Sequence, residues 1–346
     1  MNPEATNPDA TPAPAEPIPP TQPSALREIF IGKDGLRAGW SLLVFIALLA
    51  VVLIAARFVM HKIHPHNRNT ARTTSEISLK TGFIMESIPL AAVLLVTWIM
   101  SKIERRPYSV YGFGGRRKVA HFFAGLAWGV ICLSLLVLTL WKTGLLVFDG
   151  RLLFGSDILR YGAMWLLGFL LVGLFEEYLN RGYLQFTLTR GLAGLYRWAS
   201  NTRNSEAFGF WTSAVILSFL FGLGHSKNPG ESPIGLLSAG LAGMIFCFSL
   251  WRTGSLWWAI GFHAAWDWSQ SFLYGVADSG MMAQHHLLAT HPVGKPILSG
   301  GATGPEGSIF IVAVTGVISL IIFLTLPRTR LGDTPERSIY LHAGKN

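Results

Sequence analysis

The stretch Leu171–Leu184, LVGLFEEYLNRGYL, puts two adjacent carboxylates, Glu176 and Glu177, at the end of a hydrocarbon run that begins near Ala163. A charged carboxylate in a membrane-spanning helix costs about 2.5–3.5 kcal/mol on insertion scales, so it is retained for a partner or a function. On a helix, Glu177 and Arg181 are four residues apart, share a face and can pair. Glu176 is turned about 100° away from Glu177 and is left to point elsewhere. Burial lifts a carboxyl towards the range where it can act as a general base near neutrality, which is the chemistry a free Glu176 could perform.

Two further polar intrusions follow. In SFLFGLGHSKNPG, Phe221 and His225 are spaced for one helix face, and Asn228, Pro229 and Gly230 then break the helix. In GFHAAWDW, His263 and Asp267 repeat the same spacing. Each has a plain reading: a packing histidine, a structural Glu177–Arg181 pair, a self-satisfied His263–Asp267 couple. Glu, His, His and Asp buried in one bundle all need partners, however, and the least costly arrangement is for them to meet. Other polar residues carry less. His61, His64 and His66, and separately His285, His286 and His291, read as solvated loop residues rather than metal ligands. Glu86 reads as an isolated intrusion near a helix end, solvated or locally paired.

The elements that must position these residues are helices. The chain of 346 residues is 51% hydrophobic and only 14% charged, where a soluble domain carries about 25%. The fold class is all-α: a polytopic transmembrane bundle with the chemistry in its later helices. Runs of spanning length cover 38–60, 83–100, 119–141, 163–184, 208–225, 235–251, 254–276 and 308–326, about eight helices. The net charge of +9 lies in short loops between apolar runs, which is an orientation signal and not a nucleic-acid surface. With eight spans both termini share a side, and that side carries most of the Lys and Arg. The expectation is a multi-pass protein of the plasma (inner) membrane with both termini cytoplasmic. Cys132 and Cys247 sit in apolar runs and read as small buried hydrophobes. Residues 1–27 are Pro-rich and read as a disordered cytoplasmic tail. By these boundaries Glu176 and His225 fall near opposite membrane faces. A common site therefore requires the fourth helix to continue past Tyr183 and the fifth past Ser226.

The three motifs together resemble the CPBP family of intramembrane proteases, the CAAX-protease and bacteriocin-processing group that includes Rce1-type endopeptidases. EEYLNR (Glu176–Arg181) is similar to its EExxxR motif, FGLGH (Phe221–His225) to its FxxxH, and HAAWD (His263–Asp267) to its HxxxN or HxxxD. The resemblance implies an endopeptidase. Glu176 would be the base that takes a proton from water, with His225 holding that water, and His263 with Asp267 would stabilise the oxyanion. Glu177, Arg181 and Phe221 would support the site. An ionised Asp267 would repel an oxyanion, so it is either protonated or orients His263. The core would be residues 151–276, preceded by a three-helix membrane region at 28–150 and followed by a loop, last span and tail at 277–346. No cofactor is required in this reading. Zinc or another divalent ion is the alternative, held by Glu176, His225, His263 and Asp267. The partners implied are the bilayer and a peptide or protein substrate, membrane-associated or lipidated ones included. A non-catalytic scaffold or bacteriocin-immunity protein is the runner-up, and a proton-coupled transporter is third.

Overall fold

The computed structural model describes residues 29–32, 35–63, 76–200 and 202–327. The expected Pro-rich tail, His64, His66 and the C-terminal basic residues lie outside them. The helices are α1 (Ala38–Ile63), α2 (Leu79–Ile103), α3 (Lys118–Lys142), α4 (Ser156–Glu177), α5 (Gln185–Ser200), α6 (Ser205–Gly224), α7 (Pro233–Thr253), α8 (Trp257–Trp268) and α9 (Ile311–Thr325). A π-helical turn, Tyr178–Leu184, joins α4 to α5, and a second, Ser269–Leu273, follows α8.

Six helices among the described residues are long and apolar enough to cross a membrane. The expected eight therefore need correction at the last two. α8 holds 12 residues and α9 holds 15. The seventh run is shortened because Gly254 ends α7 in the left-handed region (φ 67°) and helix resumes only at Trp257. The eighth is shortened because Pro305–Gly307 forms a 3-10 turn and Ser308 is extended before α9 begins.

The fourth span is longer than expected. It runs from Ser156 to Ser200, 45 residues, so Glu176 stands near its middle and not at its end. α6 likewise continues into a 3-10 turn, His225–Lys227. Both extensions are those a common site requires.

One end of the bundle carries a cap of short strands. Besides the antiparallel pair β1 (Ile31–Gly32) and β2 (Gly35–Leu36) ahead of α1, β4 (Leu146–Arg151) pairs antiparallel with β6 (Leu288–Pro292), and β3 (Glu76–Ile77) pairs parallel with β5 (Met282–Ala283). These ties bring together the end of α3, the starts of α2 and α4, and the segment after α8. At the opposite end buried Glu104 accepts from Tyr183 (2.8 Å) and Tyr111 (3.2 Å), anchoring the first π turn to the end of α2.

Two apolar cores flank the centre. One joins α3, α7, α8 and α9 through residues such as Leu136, Phe246, Trp258 and Ile318. The other joins α1, α2 and the first π turn through Phe45, Val96, Tyr178 and Tyr183. α8 is set between α3 and α4 by glycines. A Cβ on Gly125 would collide with the Trp258 carbonyl and one on Gly261 with the Phe122 carbonyl, while one on Gly173 would lie 3.1 Å from Ile260 O. Small residues let membrane helices approach to backbone contact, and here they fix the height of α8 against its neighbours.

Candidate active site

α4 delivers both motif glutamates, in different settings. Glu177 is fully buried, and its Oε1 accepts from Arg181 Nη1 (3.0 Å) and from His263 Nδ1 (3.0 Å). Glu176 is partly open, and its Oε2 lies 3.8 Å from His263 Nε2. Asp267 Oδ2 is 3.5 Å from the same nitrogen. One imidazole thus meets three carboxylates: Glu177 at one nitrogen, Glu176 and Asp267 at the other. Since a carboxylate oxygen only accepts, Nδ1 of His263 carries the proton and its ring is held in one orientation.

Aromatic faces complete the brace. The Arg181 guanidinium stacks over Phe221 at 4.2 Å and approaches Phe246 at 5.5 Å. Phe221 meets His225 edge-on at 4.9 Å, and Phe246 stacks on His263 at 5.2 Å. An arginine buried this way needs both a counter-charge and ring faces, and it finds Glu177 and the two phenylalanines.

His225 donates from Nδ1 to Phe221 O (2.8 Å), which leaves Nε2 with a free lone pair. It lines the same cavity of about 240 Å³ as Glu176, His263 and Asp267, so all four expected catalytic residues share one wall system. His263, and not His225, is the imidazole placed beside Glu176. Phe221 also lines the cavity, while Glu177 and Arg181 stand behind it.

Three cavity carboxylates were not assigned to it by sequence reasoning. Glu86 of α2, expected to be solvated or locally paired, faces the cavity, as do Asp278 and Glu306 of the cap. Ser271 Oγ donates to Asp278, and Ser279 donates from both N and Oγ to Glu306. A signal for Glu86 existed: no basic residue stands three or four positions from it, so no helix neighbour could neutralise it. Asp278 and Glu306 sit in Gly- and Ser-containing loops that carry no such signal. His285, His286 and His291 go to three separate partners: the Tyr161 ring, Ala283 O and Asp149.

Among the described residues, no three of His, Cys, Asp and Glu are grouped as ligands of a metal ion would be. Glu176, His225, His263 and Asp267, the set expected for a divalent ion, form no such group. Cys132 and Cys247 are free and buried, as their apolar surroundings predict.

Fold and site define a polytopic helical membrane protein with a carboxylate- and imidazole-lined cavity within its bundle. Residues 159–269 match the family model described as type II CAAX prenyl endopeptidase Rce1-like, so the chain carries an Rce1-like domain over those residues. The match takes in all three motifs and two of the cavity's five carboxylates, Glu176 and Asp267. Comparison with curated proteins and with solved structures returns no match.

Proposed function

We propose that the chain is an intramembrane endopeptidase in which Glu176 takes a proton from a water held between it and His225. The water attacks a peptide carbonyl drawn into the cavity. The proton on Glu176 is then available to the departing amine, so one carboxyl serves as base and then as acid. His225 suits the water-holding role because its Nδ1 is occupied and its Nε2 can only accept in the neutral ring. His263, doubly protonated, would donate to Glu177 from Nδ1 and to the oxyanion from Nε2. Before the oxyanion forms, Asp267 beside that Nε2 would be its acceptor and aim the imidazole.

The single observation that carries this reading is the partition of the adjacent glutamates. Glu177 is buried and consumed by Arg181 and His263, whereas Glu176 is partly open at the cavity wall, 3.8 Å from His263. The Rce1-like stretch supports a peptide segment at the bilayer as substrate, lipidated chains included. The reading requires no cofactor, and the protein resides in the plasma membrane with both termini cytoplasmic.

The test is turnover of a peptide substrate by detergent-purified protein, with and without chelator. A general base is worth about 10²–10⁴ in rate, so Glu176→Gln should lose that factor with an unchanged melting temperature. Full activity in folded Glu176→Gln protein ends the mechanism. Loss of wild-type activity on chelation, restored by zinc, replaces it with a metal-dependent one.

A further inference from the structure

The cavity has a charge character that hydrolysis alone does not require. Glu86, Glu176, Asp267, Asp278 and Glu306 line it, and among the described residues no lysine or arginine does. This occurs in a chain of net charge +9. Three of the five carboxylates, Glu86, Asp278 and Glu306, lie outside the Rce1-like stretch. Asp278 and Glu306 are engaged by serines of the cap. Glu86 differs: it makes no hydrogen bond or ion pair with the described residues, and it is electrostatically coupled to Glu176 and His263. The rings of Trp165, Phe169, Phe262 and Trp266 line the same space.

A carboxylate in an apolar wall, without a hydrogen bond or ion pair, among aromatic faces and with no lysine or arginine on the wall, suits an external ammonium or guanidinium. We propose that Glu86 is a specificity-determining residue that binds a cationic side chain of the substrate, a lysine or arginine near the scissile bond. This rests on the endopeptidase reading for the meaning of the cavity. α2 packs on α4, with Gly82 against the Trp165 ring, so Glu86 would hold the cation beside the motif helix. Binding there would draw the neighbouring peptide bond towards Glu176. The neutralised charge would also relieve the repulsion between the two glutamates.

The experiment reads binding, not cleavage. A fluorescein-labelled apolar decapeptide with one central lysine is compared with the same peptide carrying norleucine, which keeps the methylene chain and lacks the charge. Anisotropy titrations use full-length Glu176→Gln protein in detergent. A charge-assisted contact predicts about tenfold tighter binding of the lysine peptide. Adding Glu86→Gln should bring the two peptides within about twofold of each other, and Glu86→Asp, which keeps the charge, should retain most of the preference. Equal binding of the two peptides, no binding of either, or a preference that survives Glu86→Gln overturns the proposal. Because turnover is not measured, a wild type without peptidase activity but with the lysine preference sinks the endopeptidase reading and leaves the cation site standing.

Discussion

At the scale of single residues, the adjacent glutamates have separate fates that a helical projection foretells, because i,i+4 geometry commits Glu177 to Arg181. The second claim on Glu177, from His263 on another helix, could not be read from spacing. Glu177→Gln leaves the Arg181 guanidinium buried without its counter-charge, and breaking a buried pair costs about 3–5 kcal/mol. The melting temperature should fall accordingly, and Glu177→Gln combined with Arg181→Gln should recover part of it, since removing both charges costs less than stranding one. Wild-type stability in Glu177→Gln would refute the bracing role. Asp278 supplies a pH test. Burial first, and then the charges of Asp267 and Glu306, hold its carboxyl well above its ordinary value of 3.8. The folded protein therefore keeps a proton that the unfolded chain has already lost, so stability is full at low pH and declines as pH climbs from 3.8 towards the raised value. As pH rises above 3.8 the wild-type melting temperature should fall relative to Asp278→Asn, which is neutral throughout and can still accept from Ser271. Parallel profiles for the two proteins would remove this carboxyl from the account.

At the scale of elements, α8 carries His263 and Asp267, and its height is set by the glycine contacts with α3 and α4. Gly125→Ala must push α3 off the Trp258 carbonyl. Overpacking of this kind costs about 1–3 kcal/mol, so thermal stability should drop by that order. Peptidase activity should drop further than stability, because the imidazole is displaced from Glu176; an active, stable Gly125→Ala protein would show that this contact does not position the site. Six of the spans were legible because an apolar run of spanning length has few other readings. The two π turns were not: Tyr178–Leu184 begins directly after motif residue Glu177 and Ser269–Leu273 two residues after Asp267, and nothing in their composition forbids ordinary helix. π-helical turns recur at functional sites, and each shifts the residues beyond it to a new face. The short strands of the cap were equally hidden, since two-residue pairings such as β3 with β5 have no periodicity to detect.

At the scale of the whole molecule, the cavity is lined by residues of the cap end, including Ile77, His225, Asp278 and Glu306, while the basic loops gather at the other end. If both termini are cytoplasmic, as proposed, the cap end faces away from the cytoplasm. The native cysteines are buried, so engineered ones can be read singly. Exposed Ser226 stands at the cap end and exposed Ser200 at the far end of the long helix. A membrane-impermeant maleimide on intact cells should label Ser226→Cys and reach Ser200→Cys only after lysis. The reverse pattern inverts the orientation, and labelling of both in intact cells contradicts the arrangement of spans. The glycine seam between α3 and α8 carries one more consequence, for modularity. α3 lies wholly outside residues 159–269, yet its backbone touches that of the helix bearing His263 and Asp267. The stretch that similarity marks off is therefore not a unit that could be transplanted. Grafted into another membrane protein, it would carry every motif and leave behind the helix that holds one of them in place, the wall that bears Glu86 and the roof that closes the cavity.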